Sequence, residues 1–180
     1  MAGQLAPHIT AMANHINWDE YFMFLAILVS LRSKDPNTKV GAVLVKNNKV
    51  LGTGYNGFPS GCDESRFSWS RDTTAGWLDT KYPYVIHAEA NALLNTVAAV
   101  AGGEIYVTQH PCNECAKLLI QGGVRRITFL DNKHLGTESY AASQKLFAVT
   151  GVEIRHLARE HLRFDAVQAA FGEYAKLPEA

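Results

Sequence analysis

Hydrophobic positions change their period several times along the chain, and each change predicts an element. Between Trp18 and Leu31 they crowd together (Phe22, Phe24, Leu25, Ile27, Leu28, Val29), leaving almost no polar face. That density predicts a helix buried on more than one side, by a sheet and by a second subunit. Asn17 can cap its free amides, Asp19 and Glu20 suit its positive end, and the helix runs to about Ser33 before Asp35-Pro36-Asn37 stops it. Val40–Val45 and Val50–Tyr55 are β-branched runs separated by Lys46-Asn47-Asn48-Lys49, two asparagines suited to a tight turn, which predicts a β-hairpin. The glycines and proline from Gly54 to Gly61 end the second strand and let backbone approach a ligand. From Cys62 to Tyr84 no period holds; a loop of this length in a compact domain is functional or flexible, and Trp69 and Trp77 are expected to tether it by burying their rings.

Beyond Tyr84 the helical and extended periods alternate. Helices are predicted from His87 to Val100, Cys112 to Gln121, Glu138 to Val149 and His161 to Tyr174; strands from Glu104 to Gln109, Arg125 to Asp131 and Val152 to Leu157. Strands joined through a helix run parallel, because a hairpin cannot make that crossover. The expected fold is α/β: a three-layer αβα sandwich whose five-strand mixed sheet has an antiparallel hairpin at one side, parallel strands at the other and helices on both faces. Residues 17–175 are read as a single domain, 1–16 as a mobile arm and 176–180 as a tail.

Composition narrows the function classes. Seventeen basic residues balance seventeen acidic ones, so the chain has no overall electrostatic footprint for a nucleic-acid polymer; a small anion met by a local basic pocket fits better. Three cysteines are too few for a disulfide scaffold and two lie at metal-ligand spacing, which suits a reducing, cytoplasmic setting. The apolar run from Tyr21 to Leu31 is about half of the ~20 residues a membrane span needs. Cys62 stands alone and reads as a small buried residue.

The chemistry gathers at His87-Ala88-Glu89 and Pro111-Cys112-Asn113-Glu114-Cys115. Cysteines three apart on a helix face the same way, and Cys112 and Cys115 begin theirs after Pro111, where the helix dipole favours thiolates. With His87 they make three ligands. A structural zinc site has four protein ligands, whereas a catalytic one leaves a position for water and lowers that water's pKa to about 7. Near a helix start Glu89 and His87 can reach the same group, which makes Glu89 a candidate proton shuttle. The combined H-x-E and P-C-x-x-C pattern resembles the signature of the zinc deaminases.

A narrower resemblance is carried by Ser33-Lys34-Asp35-Pro36-Asn37, Val40-Gly41-Ala42, Gly54-Tyr55-Asn56-Gly57 with Pro59 and Gly61, Leu78 to Val85, and the two metal motifs. Together they resemble the deoxycytidylate (dCMP) deaminases over about residues 18 to 157. The resemblance implies a cytidine deaminase-like fold, one zinc per chain, and conversion of dCMP to dUMP for thymidylate synthesis. It also implies a homo-oligomer, hexameric in many members, activated by dCTP and inhibited by dTTP, with Mg2+ accompanying the effector. It places Asn56 at the substrate sugar and sets Ala88 and Pro111 beside the substrate. Gly54, Tyr55, Gly57 and Gly61 fall in the part implied for a regulatory nucleotide. For the phosphate, Arg32, Lys34 and Lys39 flank the loop before the first strand, with Lys133 and His134 as further candidates. Lys133-His134-Leu135-Gly136 departs from the family, in which a tyrosine commonly precedes the histidine and acidic residues follow. Two rival readings remain: a deaminase of a free nucleoside or of a base in tRNA or single-stranded DNA, and a catalytically silent nucleotide sensor.

Overall fold

The structure, a computed structural model, describes residues 15–176; the predicted arm, but for His15 and Ile16, and the predicted tail, but for Lys176, fall outside them. Helix α1 (Trp18–Ser30) opens on a reciprocal cap: Glu20 N–H donates to Asn17 Oδ1 at 3.0 Å and Asn17 N–H to Glu20 Oε2 at 2.8 Å. Strands β1 (Gly41–Lys46) and β2 (Lys49–Tyr55) form the hairpin, with Asn47 and Asn48 at φ 52° and 57° as its primed turn requires. Then follow α2 (Ala88–Leu94), β3 (Glu104–Gln109), α3 (Asn113–Gln121), β4 (Arg126–Asp131), α4 (Glu138–Thr150), β5 (Glu153–His156) and α5 (Phe164–Tyr174). The sheet order is β2-β1-β3-β4-β5; β1 is antiparallel to β2 and β3, while β3, β4 and β5 are parallel, the mixed sheet expected from the alternation of periods.

Strand alternation divides the core in two. Ala42, Leu44, Ile105, Val107, Ile127 and Phe129 face Ala88 and Ala92 of α2, Ala116 and Leu119 of α3, and Phe147 of α4. Val43, Val45, Tyr106 and Leu130 face Phe22, Met23 and Ala26 of α1 together with Leu157 and Leu162. Two glycines set how closely the helices lie. A Cβ on Gly41 would fall 2.0 Å from the Ala26 carbonyl oxygen of α1, and one on Gly54 would fall 2.2 Å from Ala92 N and 2.3 Å from Ala88 O of α2. The helix that carries the metal motif is thus seated on β2 backbone to backbone.

Three expectations are corrected. Helix α2 ends at Leu94, well short of Val100, because Asn95 and Thr96 turn their side chains onto the β2 carbonyls of Thr53 and Leu51. The last helix begins at Phe164, after a separate single turn, Arg159–His161. Trp77 is 58 % exposed and tethers nothing; Phe58, Phe67, Trp69 and Tyr84 hold the 62–84 loop instead, in a chain of ring contacts 4.3 to 5.1 Å between centroids. Within the chain α1 is buried by the sheet and also meets α5, where Phe24 packs edge-on against Phe164 at 5.2 Å between ring centroids, while Trp18, Tyr21, Leu28 and Leu31 are exposed. Cys62 is half-buried. No described helix is long and apolar enough to cross a membrane.

Candidate active site

The N-termini of α2 and α3 meet. His87 is the N-cap of α2 and Cys112 the N-cap of α3, where its Sγ accepts from Cys115 N–H at 3.5 Å. His87 Nδ1 lies 3.3 Å from Cys112 Sγ and 3.4 Å from Cys115 Sγ, and the three ligand atoms all lie within 4.8 Å of one another. Zinc bond lengths of ~2.0–2.1 Å to nitrogen and ~2.3 Å to sulfur make a tetrahedral N···S edge of about 3.5 Å, so the spacing fits that ion. Hydrogen bonding from Cys115 holds the Cys112 thiol down to about 3, bonding to Cys112 lifts His87 to about 9, and the same sharing pushes Cys115 up.

Glu89, in the first turn of α2, is 5 % exposed and touches the Cys115 thiol. Burial pushes its carboxyl above the ordinary value, opposed by the nearby His87 charge. Both residues border a cavity of about 450 Å3 whose wall also includes Asp35, Asn56, Lys81, Gln109, His110 and Cys112. That volume suits a small ligand such as a nucleotide.

The wall of the same cavity carries three cations, Arg71, Lys81 and Lys133, with His134. Arg71 donates to Tyr82 Oη at 3.4 Å, and Lys133 reaches across to Thr38 Oγ1. Burial and the neighbouring Arg71 and Lys81 charges lower the Lys133 pKa. Lys81 pairs with Asp35, which is 1 % exposed. Burial alone would raise the Asp35 carboxyl; Lys81 and the amides of Asn37 and Thr38 outweigh it and hold the pKa below its ordinary value. Arg71 and Lys81 escaped the sequence reading because they lie in the stretch without periodicity, where nothing local indicates which charges turn inward.

The other sequence candidates are placed as follows. Asn56 lines the cavity, but its amide is engaged: Nδ2 donates to Thr38 O at 2.9 Å and Asp35 Oδ2 at 3.2 Å, and Oδ1 accepts from Val40 N–H at 2.8 Å. Ala88 is on the wall; Pro111 is buried between two wall residues, His110 and Cys112. Arg32, Lys34 and Lys39 are not brought to the cavity: all three are exposed, and Lys34 pairs with Glu64 at 2.8 Å. The loop turns Asp35, Thr38 and Val40 inward and these charges outward. Gly54 lies beneath α2, Gly57 pairs with Ile86 through two backbone bonds, and Gly61 is exposed with φ 85°.

A profile of the cytidine and deoxycytidylate deaminase zinc-binding region matches residues 16–131. The chain belongs to that family. Among its relatives the deoxycytidylate deaminase of Mus musculus is 43 % identical over 162 residues, 87 % of this chain and 90 % of the mouse one. The Homo sapiens enzyme of the same name is 46 % identical over 144 residues, covering 79 % and 80 %. Among solved structures, the cyanophage S-TIM5 dCMP deaminase in complex with dCMP and dUMP is 30 % identical, with a TM-score of 0.62, over 86 % of this chain and all of the phage one. In this family member the zinc-binding region therefore includes both halves of the His/Cys/Cys centre, each half at the start of its own helix.

Proposed function

We propose that this protein is a deoxycytidylate deaminase: dCMP and water become dUMP and ammonia. The observation that carries the reading is one cavity whose wall brings together a three-ligand metal centre, a buried carboxyl and a cluster of cations. The resemblance to enzymes named for dCMP, one of them solved with dCMP and dUMP, supports it.

His87, Cys112 and Cys115 would hold zinc, which when bound acidifies water and so supplies a nucleophile at neutral pH. Glu89 takes one proton from the attacking water and gives it to the ring nitrogen as the C4–O bond forms, then takes the second from the hydroxyl left on C4 and gives it to the amine, so that the C4–N bond breaks, ammonia departs and no net proton is consumed. Arg71 and Lys133 bind the 5′-phosphate. Lys81 being paired with Asp35, these two leave a surplus of about two positive charges, matching the ~1.5 to 2 negative charges of a phosphate monoester near neutral pH. Asn56 shapes the sugar end of the cavity through the loop it holds.

Regulation and assembly belong to the same reading. The loop from Tyr55 to Gly61 is the proposed contact for dCTP or dTTP with Mg2+. The exposed Trp18, Tyr21, Leu28 and Leu31 of α1 are the proposed subunit contact of a homo-oligomer, a hexamer by family resemblance. The metal-ligand cysteines suit a reducing cytoplasm.

The decisive measurement is ammonia release from dCMP and from deoxycytidine, with zinc-loaded protein and with dCTP and Mg2+ present. Turnover of dCMP with marked preference over deoxycytidine is expected; no ammonia from dCMP would refute the proposal. Arg71→Ala and Lys133→Ala should each raise KM for dCMP about tenfold or more, since each removes a charge-assisted contact, and leave deoxycytidine turnover unchanged.

A further inference from the structure

Lys81 is 8 % exposed, lies on the cavity wall and has no part in the proton chemistry. An ammonium carries three N–H donors. One goes to Asp35 Oδ2, and the described residues offer the other two no hydrogen-bond acceptor. Its neighbours are already committed. Asp35 Oδ1 accepts from Asn37 N–H at 2.8 Å and Thr38 N–H at 3.2 Å, while Oδ2 accepts from Lys81 and from Asn56 Nδ2. Both hydrogens of the Asn56 amide and one acceptor position of its oxygen are spent on Asp35 and the loop. On this part of the wall the unspent donors belong to Lys81. A buried charge with open donors is costly unless a ligand fills them.

Position decides which part of a nucleotide would do so. Lys81 is linked to Lys133 through Asp35 and Thr38, shares the wall with both metal-site residues His87 and Glu89, and is near enough to His87 for its charge to bear on the imidazole. With the base at the metal and the phosphate at Arg71 and Lys133, what lies between them is the deoxyribose. Building on the deamination of dCMP proposed above, we propose that Lys81 reads the sugar by donating a hydrogen bond to its 3′-hydroxyl oxygen. Asp35 is the positioning residue that fixes the ammonium, and Asn56 fixes Asp35, acting on the sugar through its neighbours.

The test compares kcat/KM for dCMP and for 2′,3′-dideoxycytidine 5′-monophosphate in the wild type, in Lys81→Met and in the double variant Asp35→Asn with Lys81→Met. Loss of the 3′-hydroxyl should cost the wild type about tenfold, the usual weight of a hydrogen bond to a charged group, and cost either variant less than twofold. A merely structural lysine would leave that ratio unchanged. The double variant removes both charges together, so no lone carboxylate stays buried if the single variant fails to fold. Three results overturn the assignment: equal wild-type rates on the two nucleotides, an undiminished penalty in a folded variant, or a variant that instead loses the preference for dCMP over deoxycytidine. If the wild type releases no ammonia from dCMP, the deamination reading fails by itself. Binding of dUMP against its 3′-deoxy counterpart, with the same expected ratios, then decides on Lys81.

Discussion

Glu89 must take a proton and then give it back, and its place in the fold suits both halves of the task. A carboxyl 5 % exposed in the first turn of α2 holds a proton more tightly than one in water, yet it touches the metal centre from which that proton would come. Glu89→Gln keeps the shape and removes the base, so kcat should fall by about 10²–10⁴ while metal analysis still finds one zinc per chain. Near-normal kcat in a zinc-replete variant would contradict the role. His87, Glu89, Cys112 and Cys115 were legible because their geometry is local: each sits at or next to a helix start that the sequence marks. Arg71 and Lys81 were not, since whether a loop charge turns inward depends on residues 46 positions away, as Asp35 is from Lys81.

At the scale of elements, the seat of α2 controls the site. The atoms that a Cβ on Gly54 would strike belong to helix backbone and cannot swing aside. Gly54→Ala should therefore lift α2, destabilise the protein by about 3 kcal/mol in urea unfolding and lower activity as His87 and Glu89 shift. At Gly57 the same methyl meets nothing nearer than 3.8 Å, so Gly57→Ala serves as the control and should unfold with the wild type. A second element contact depends on pH. Glu20, 2 % exposed, bonds Arg163 at 2.8 Å, and that bond lowers its pKa from 4.5 to about 2. A depressed carboxyl stabilises the fold fully above its unfolded pKa and loses that contribution as pH falls toward the folded one. Glu20→Gln should thus be less stable than the wild type by about 2 kcal/mol at pH 7, and the gap should close between about pH 5 and pH 2. A gap that persisted at pH 2 would place the effect elsewhere. The same scale explains the short α2: its sequence stays helical in pattern beyond Leu94, but Asn91, Asn95 and Thr96 bond the carbonyls of β2, a tertiary demand that periodicity does not record.

For the whole molecule, the αβα architecture and the mixed sheet, with its hairpin at one side and parallel strands at the other, were readable because alternating periods and the rule for parallel crossovers leave few arrangements. The loop from 62 to 84 was not, being held by ring contacts and by the Lys81–Asp35 pair and not by any repeat. That pair bears on the order in which the protein assembles. The metal ligands span residues 87 to 115 and sit on regular elements, whereas the nucleotide wall must gather residues 35, 56, 71, 81 and 133 from three loops and a strand end. Closing more loops costs more chain entropy, and segments held by few contacts open first. As denaturant is raised, affinity for nucleotide should disappear before the zinc is released, and during folding the metal centre should be complete before the pocket above it exists. Calorimetric nucleotide binding and zinc release to a chromogenic chelator, followed along one urea series, would record the two events, and their coincidence would count against this sequence.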